Sequence, residues 1–487
     1  MGGFSYVKVL KYKGIFDRSF WMEKTANTHG NFLGTEPVGR LLKKFALPSI
    51  VAMIVGAVYN IVDQFFIGHA IGELGNAATN IAFPFVISCI SIALLFGIGG
   101  ASAFNLTLGE GDSEKAVFYI GNSVTMLVLL GTILGVVAEV FLPFLLKLFG
   151  SPADVFEYAK TYTRITAIGF PMLILTSGGA HLIRADGSPN YSMFVNLSGA
   201  VLNIFLDAFF VFVLGWGMAG AALATIIGQY ISGALVIGYL VRYKTVKIEL
   251  KHLIPRLEYF GRNASLGTAS FFNQLSMMVV QIILNNSLKY YGSLSIYGES
   301  IPIACVGIVS KVSQMFFSIV IGISQGLQPI ASFNYGARKF LRVRKATCLA
   351  LFVSACISMV SFAVFQIFPL QIIKMFGEGS DVYYEFAVKY FRIFFFCIFI
   401  NFVQPIISNF FNSTGRPRIG MVLSLTRQII FFIPLLLILP RFMGIDGIIY
   451  TGPIADGLAA AVTIIIGFLE LRQSKYSMDE ELPVTAG

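Results

Sequence analysis

The sequence predicts an all-α polytopic membrane protein, with twelve transmembrane helices in two pseudo-symmetric six-helix bundles. Three observations carry that expectation. Of the 487 residues, 56% are hydrophobic and only 12% charged, about half the charge a soluble chain needs on its surface. Apolar runs of spanning length, ~20 residues each, recur along the chain. They are continuous and not alternating, which argues against a β-barrel. The chain also repeats itself. LFGSPADVFEYAKTYTRI (148–165) returns as MFGEGSDVYYEFAVKYFRI (375–393), Gly187-Ser188-Pro189 as Gly415-Arg416-Pro417, and GMAG (217–220) as GIDG (444–447). Apolar composition alone does not produce such matched Gly, Pro, Asp and Arg positions.

Taken in order, residues 1–45 read as a cytoplasmic N-terminal extension. Its first 24 residues are basic and aromatic but lack the long apolar core of a signal peptide; Met22 stands beside Met1 as a candidate start. The N-lobe, 46–241, takes six spans near 46–67, 81–104, 117–142, 164–183, 190–214 and 218–241. A polar cytoplasmic linker follows at 242–263. The C-lobe, 264–470, takes six more near 264–288, 303–327, 347–370, 390–411, 420–440 and 445–469, before a cytoplasmic tail at 471–487. An even number of spans per unit makes the two repeats parallel in topology, facing each other across a central cavity.

The net charge of +10 does not point to nucleic acid. Most Lys and Arg gather in alternate loops, including Arg40, Lys43, Lys44 and the run Arg338, Lys339, Arg342, Arg344, Lys345. The positive-inside rule then puts both termini in the cytoplasm. The five cysteines lie inside apolar segments without a CxxC or Cys/His cluster, so they read as small buried hydrophobes.

Within the spans, ionisable residues are the candidates for function, since each costs roughly 2.5–3.5 kcal/mol to insert. Asp63 is the one carboxylate between Ala46 and Gly72, and Asp207 stands in LNIFLDAFFVF. Counted from the inner ends of their spans, both reach similar depth in the outer half. Tyr59 precedes Asp63 by four residues, as Asn203 precedes Asp207, so each pair shares a helix face. Thr225 of the sixth span falls at the same depth. These five converge as an oxygen-rich cation site, or as a carboxylate pair sharing a proton. The structural alternative is that each acid serves a hydrogen bond within its own bundle. The repeat argues against it, because Leu435 and Phe431 stand where Asp207 and Asn203 would recur.

Other polar residues carry less. Asp456 is expected to pair structurally with Arg427. Lys311 lines the cavity or snorkels, two readings the sequence leaves open. Glu139 and His181 read as interfacial. Pro84, Pro171, Pro329, Pro405 and Pro434 should kink spans or open backbone gaps. No Walker, GxSxG or HExxH motif occurs, so the chain does not read as an enzyme and needs no cofactor beyond a coupling ion.

GTEPVGRLLKKFALPSIVAMIVGAVYNIVDQFFIG, IGGASAFNLTLGEGD, RADGSPNYSMFVNLSGAVLNIFLDAFFVF, GMAGAALATIIGQ, GISQGLQPIASFNYGARKF and TRQIIFFIPLLLILP with GIDGIIYTGPIAD follow one another from about Leu33 to Glu470. In these stretches the chain resembles the multidrug and toxic compound extrusion (MATE) family, in particular its bacterial DinF-like branch. The resemblance implies two six-helix lobes in a V, and export of small amphipathic, often cationic drugs in exchange for H⁺ or Na⁺. It maps the coupling site of this branch to Asp63, Asn203, Asp207 and Thr225, with Tyr59 lining it; Na⁺, if used, would sit among the first four. NorM-type members use a Glu on the seventh helix, which here reads SFFNQLSMMVVQIILNN without an acid. A multi-pass monomer in the bacterial inner membrane, contacting lipid and no nucleic acid, is the matching expectation. The rival reading is a flippase for lipid-linked cell-wall precursors, which should show a cationic cavity.

Overall fold

The computed structural model describes residues 32–298, 300–376, 380–473 and 476. Most of the N-terminal extension and of the tail therefore lies outside the described residues. Twelve membrane-crossing segments follow one another. They are α1 (Val38–Ile71), α2 (Glu73–Gly109), α3 (Ser113–Val140), α4 (Ala153–Ala185), α5 (Pro189–Asp207), α6 (Gly217–Leu240), α7 (Leu257–Ser293), α8 (Ser300–Gly336), α9 (Phe340–Ile367), α10 (Asp381–Phe394, resuming at Val403–Ser413), α11 (Pro417–Leu425, resuming at Ile433–Met443) and α12 (Ile445–Leu471). Among the described residues there is no strand.

Several boundaries differ from the sequence reading, for one reason. Hydropathy stops at the first charge, whereas the helical hydrogen-bond ladder does not. The helix α1 starts at Val38, so Arg40, Lys43 and Lys44 belong to it and not to an extension ending at 45. The helix α7 starts at Leu257, inside the expected 242–263 linker. The tenth span is a correction of another kind. Among the described residues eleven helices are individually long and apolar enough to cross a membrane; the remaining crossing breaks into a 3₁₀ turn at Phe395–Cys397 and irregular turns before Val403. Pro405, which offers no N–H to the carbonyl four residues back, stands at the restart. Pro434 likewise follows a π-helical stretch at Thr426–Phe432 in α11. A second π-helical stretch, Ala208–Val213, continues α5 directly after Asp207.

The basic residues collect at one end of the bundle, where odd-numbered helices start and even-numbered ones finish. The lobes meet in that basic half. There α2 packs on α7 and α1 on α8. The approach is backbone to backbone: a Cβ on Gly99 would run into the Asn263 carbonyl, and one on Gly267 into the Leu95 carbonyl. Small residues at such crossings are what membrane helices use in place of a hydrophobic driving force. The hydrogen bonds joining the lobes lie in the same half. Gln328 Nε2 donates to Ile98 O at 3.1 Å and Ser102 Oγ at 3.0 Å, and Asn263 Nδ2 donates to Tyr119 O and Ser123 Oγ, both at 2.9 Å. Toward the far end the same helices expose apolar side chains, Val58 and Phe65 on α1 and Met277 and Ile282 on α7. The lobes are therefore joined at the basic end.

The linker is fixed to the first lobe. Asp186, just past α4, accepts from Tyr239 OH at 2.7 Å, Lys244 N at 2.7 Å and Thr245 N at 2.8 Å. Thr125 Oγ1 donates to Leu253 O at 2.6 Å, and Arg256 N donates to Asn122 Oδ1 at 2.8 Å.

Candidate functional site

The five sequence-derived residues come together inside the first lobe, in its far half. Asp63 hangs from the last third of α1, Asn203 and Asp207 from the end of α5, and Thr225 from the first third of α6. Asp63, Asn203, Asp207 and Thr225 are all buried, and Asp207 has no exposed surface at all. The carboxyls of Asp63 and Asp207 face each other at hydrogen-bonding range. Asn203 bridges the next two groups. With its amide oriented to match donors to acceptors, Nδ2 donates to Asp207 Oδ2 at 2.8 Å and Oδ1 accepts from Thr225 N at 3.1 Å. The Tyr59 phenol lies near Thr225 and the two acids.

The fold adds a sixth member that sequence reasoning misses. Tyr162 of α4 is buried and lies near Asp63, Asp207 and Thr225. The repeat hides it: Tyr162 aligns with Tyr390 in the second half, and a tyrosine common to both halves reads as scaffold.

Two features decide what this pocket can do. No Lys or Arg among the described residues forms an ion pair with either acid. One oxygen of each carboxyl, Asp63 Oδ1 and Asp207 Oδ1, is buried without a partner. Two carboxylates in contact cannot both stay charged in such a place, so the pair needs a proton or a cation between them. The donor set is hard oxygen throughout. Among the described residues no group of three or more His, Cys, Asp or Glu side chains is clustered, so a transition-metal centre has no ligands here.

The weaker candidates fall elsewhere. Arg427 Nε donates to Asp456 Oδ1 inside the second lobe, and Asn401 Nδ2 donates to Asp456 Oδ2 at 2.6 Å. Arg427 also stands over the Phe317 ring, 5.8 Å from its centroid. Lys311 is half-buried on α8. Glu139 pairs with Arg164 at 3.0 Å in an exposed position, as an interfacial residue should. His181, near the inner end of α4, is buried at 4% exposure, with Arg184 packed over it. Two of the five cysteines, Cys348 and Cys356, are exposed on the outer face of α9 and not buried; all five are free thiols.

The chain compares closely with known proteins over most of its length. The multidrug export protein MepA of Staphylococcus aureus (strain MSSA476) is 25% identical over 436 residues, 89% of this chain and 94% of that one. MepA of Staphylococcus haemolyticus (strain JCSC1435) is 24% identical, covering 88% and 92%. Among solved structures, an outward-facing multidrug resistance MATE family transporter of the MOP superfamily superposes with a TM-score of 0.85 at 22% identity, covering 93% of this chain and all of that one. A MOP superfamily transporter from Pyrococcus furiosus, described as having a binding pocket of reverse polarity, gives 0.85 at 21% identity, with 92% and 99% covered. The family model described as MatE matches residues 48–209 and 269–438, one stretch in each lobe. The chain belongs to the MatE family.

Proposed function

We propose that this protein is a secondary active multidrug exporter. It moves small amphipathic cations outward in exchange for H⁺ or Na⁺, across a bacterial cytoplasmic membrane with the basic end and both termini inside. The observation that carries this reading is the buried, uncompensated pair Asp63 and Asp207, placed in one lobe only. A structural role would be served better by an apolar pair, since burying two acids without a partner cation costs several kcal/mol. The names of the relatives, multidrug export proteins, support the substrate class.

In this mechanism the ion enters from the far end and neutralises the carboxyl pair. The helices α1 and α5 then repack against Thr225 and Tyr162. The π-helical stretch directly after Asp207 gives α5 a place to change register, since such stretches relax to α-helix by shedding one residue. The exported cation leaves as the pair loads, and the return swing opens the basic end. The ion biases the two states only by the difference in its affinity for them, so a change of 1:99 to 99:1 asks for about 5.5 kcal/mol.

The test is ethidium efflux from proteoliposomes, with a pH gradient and a sodium gradient imposed separately. Efflux driven by one of them is the expected result. No efflux under either, with a lipid-linked sugar moved instead, would transfer the protein to the flippases.

A further inference from the structure

Lys311 is a cation within a membrane span of the second lobe, and the mechanism above does not use it. Among the described residues no carboxylate pairs with it. A charge at such depth is kept where it meets a partner or a water-filled space. Its direction follows from the crossing of α8 with α1. A Cβ on Gly322 would run into Ile50 Cα, and one on Gly326 into Ala46 Cα. These glycines mark the face of α8 that meets the first lobe. Lys311 precedes Gly322 by eleven residues, three turns, and so keeps within about 20° of its direction, about 16 Å farther from the basic end. Met315 lies between them on the same face. The glycines are buried, whereas Met315 is 41% exposed and Lys311 half-buried. A lysine on this face looks across at α1 and not out into lipid.

The helix α1 runs antiparallel to α8, and eleven residues beyond Ile50 it reaches Ile61, with the exposed Gln64 on the same side. Asp63 stands at that level but not on that side. Thirteen residues turn it about 140° from Ile50, into its own lobe. The second wall is α7, whose Gly267 closes on Leu95 of α2. Gln281 and Asn285 follow Gly267 by fourteen and eighteen residues and keep to its side within about 40°. Both are exposed, and Gln281 Nε2 donates to Asn285 Oδ1 at 2.9 Å. That bond leaves both protons of the Asn285 amide free. Gln281 also reaches the level of Lys311. Fourteen residues before Leu95, α2 stands at Ile81, and Ile81 and Asp63 are equally far from the turn at Gly72. Lys289 follows one turn farther out on α7. The side of the second lobe that faces the first thus presents ammonium and amide donors at one level.

We propose that Lys311 is an anion-binding group in the space between the lobes, and that it selects zwitterionic amphiphiles by taking their carboxylate, with Asn285 as a second donor. The proposal rests on the reading of the protein as a multidrug exporter, and it narrows the substrates from amphipathic cations to those that also carry an acid. A lone ammonium repels a purely cationic dye and attracts a carboxylate, and more strongly between apolar walls than in water. The hydrogen bond it donates there is charge-assisted, the strong kind. Met315, polarisable and adaptable, stands one turn away on the same face to pack on the apolar body of the substrate. The cationic end is left to the first lobe, whose acids carry no basic partner.

The experiment measures equilibrium binding of two rhodamines to the full chain in detergent, with no gradient. One is a methyl ester, a pure cation; the other is the free acid of the same dye, a zwitterion. The wild-type protein should hold the acid about tenfold more tightly, the step expected of one charge-assisted hydrogen bond. Lys311→Met should erase that preference by weakening the acid and not the ester. Lys311→Arg should keep it, which a role in packing alone would not. Equal affinity for the two dyes in the wild-type protein, or a preference that survives Lys311→Met, overturns the subsite. The wild-type comparison needs no variant and stands even where Lys311→Met fails to fold. Loss of the preference when phosphatidylglycerol is added to the micelles gives Lys311 to a lipid phosphate, and overturns its assignment to the exported molecule. Efflux of neither dye from proteoliposomes under a pH or a sodium gradient, with the binding preference intact, overturns the exporter reading and leaves the subsite standing.

Discussion

The two lobes solve the same problem, a carboxylate inside the membrane, in opposite ways. In the first, Asp63 and Asp207 face each other with no basic partner. In the second, Asp456 is held by Arg427 and Asn401. Both sites involve the fifth helix of their repeat, α5 or α11, and both of those helices carry a π-helical stretch nearby. They differ in depth. Counted at 1.5 Å per residue from the helix start, Asp207 lies about 27 Å up α5, and Arg427 about 15 Å up α11. A tethered guanidinium is a cation that cannot leave. The comparison separates two charge balances: that of the second lobe is supplied by a fixed guanidinium, and that of the first needs a proton or a cation from outside.

The sharpest way to break this comparison is to remove charge from each lobe in turn. Asp63→Asn or Asp207→Asn should abolish gradient-driven ethidium efflux while the protein still binds ethidium. The double variant Arg427→Met with Asp456→Leu should keep its coupling. Loss of coupling in that double variant would mean that the second lobe also exchanges an ion. Next in size is Arg427→Met alone, which strands Asp456 as a buried unpaired charge. It should cost about 3–5 kcal/mol in a denaturation series, and the added Asp456→Leu should recover most of it.

A smaller effect is expected where the lobes are joined. Asp186→Ala removes the acceptor of two hydrogen bonds that pin the linker and of a third from Tyr239 of α6, and should cost about 2–3 kcal/mol. Asp186 also gives a pH signature. Burial is the main cause that raises its carboxyl above the usual range, partly offset by the N–H and O–H donors around it. The folded state therefore holds this proton to higher pH than the unfolded chain does. The stability it contributes is full below the unfolded value and is lost as pH rises through the folded one. Asp186→Asn should flatten that slope of melting temperature against pH, and an unchanged slope would assign it to another group. Smallest is the exposed pair of Arg164 and Glu139: Glu139→Gln should shift stability by less than about 1 kcal/mol, and the difference should vanish at high salt.

Most of the carboxyl pocket is legible in the sequence. Asp63, Asn203, Asp207 and Thr225 can be brought to one level because helical rise converts residue number to depth, and because the membrane makes an unpaired acid conspicuous. Tyr162 is not legible. It falls just outside the expected span at 164–183, and its match with Tyr390 disguises it. The break in α10 is also hidden. Phe395 to Phe402 is as apolar as any spanning run, and only Pro405 hints that the ladder fails there. The burial of His181 and Arg184 escapes for a related reason, since residues near a helix end look interfacial until the neighbouring helices are placed over them.

By itself, then, the sequence determined the membrane class, the twofold repeat, the family and the one lobe that carries free acids. Each of these rests on composition, spacing or a residue that the bilayer penalises, and such signals are local. Only the tertiary structure decided which lobe surfaces touch, and that they join at the basic end. It also decided that Asp63 meets Asp207 at hydrogen-bonding range and that Lys311 turns toward the first lobe. These are matters of helix rotation and crossing, set by packing between segments far apart in sequence. A rotation of one helix by a third of a turn would leave every sequence signal in place and dissolve the site.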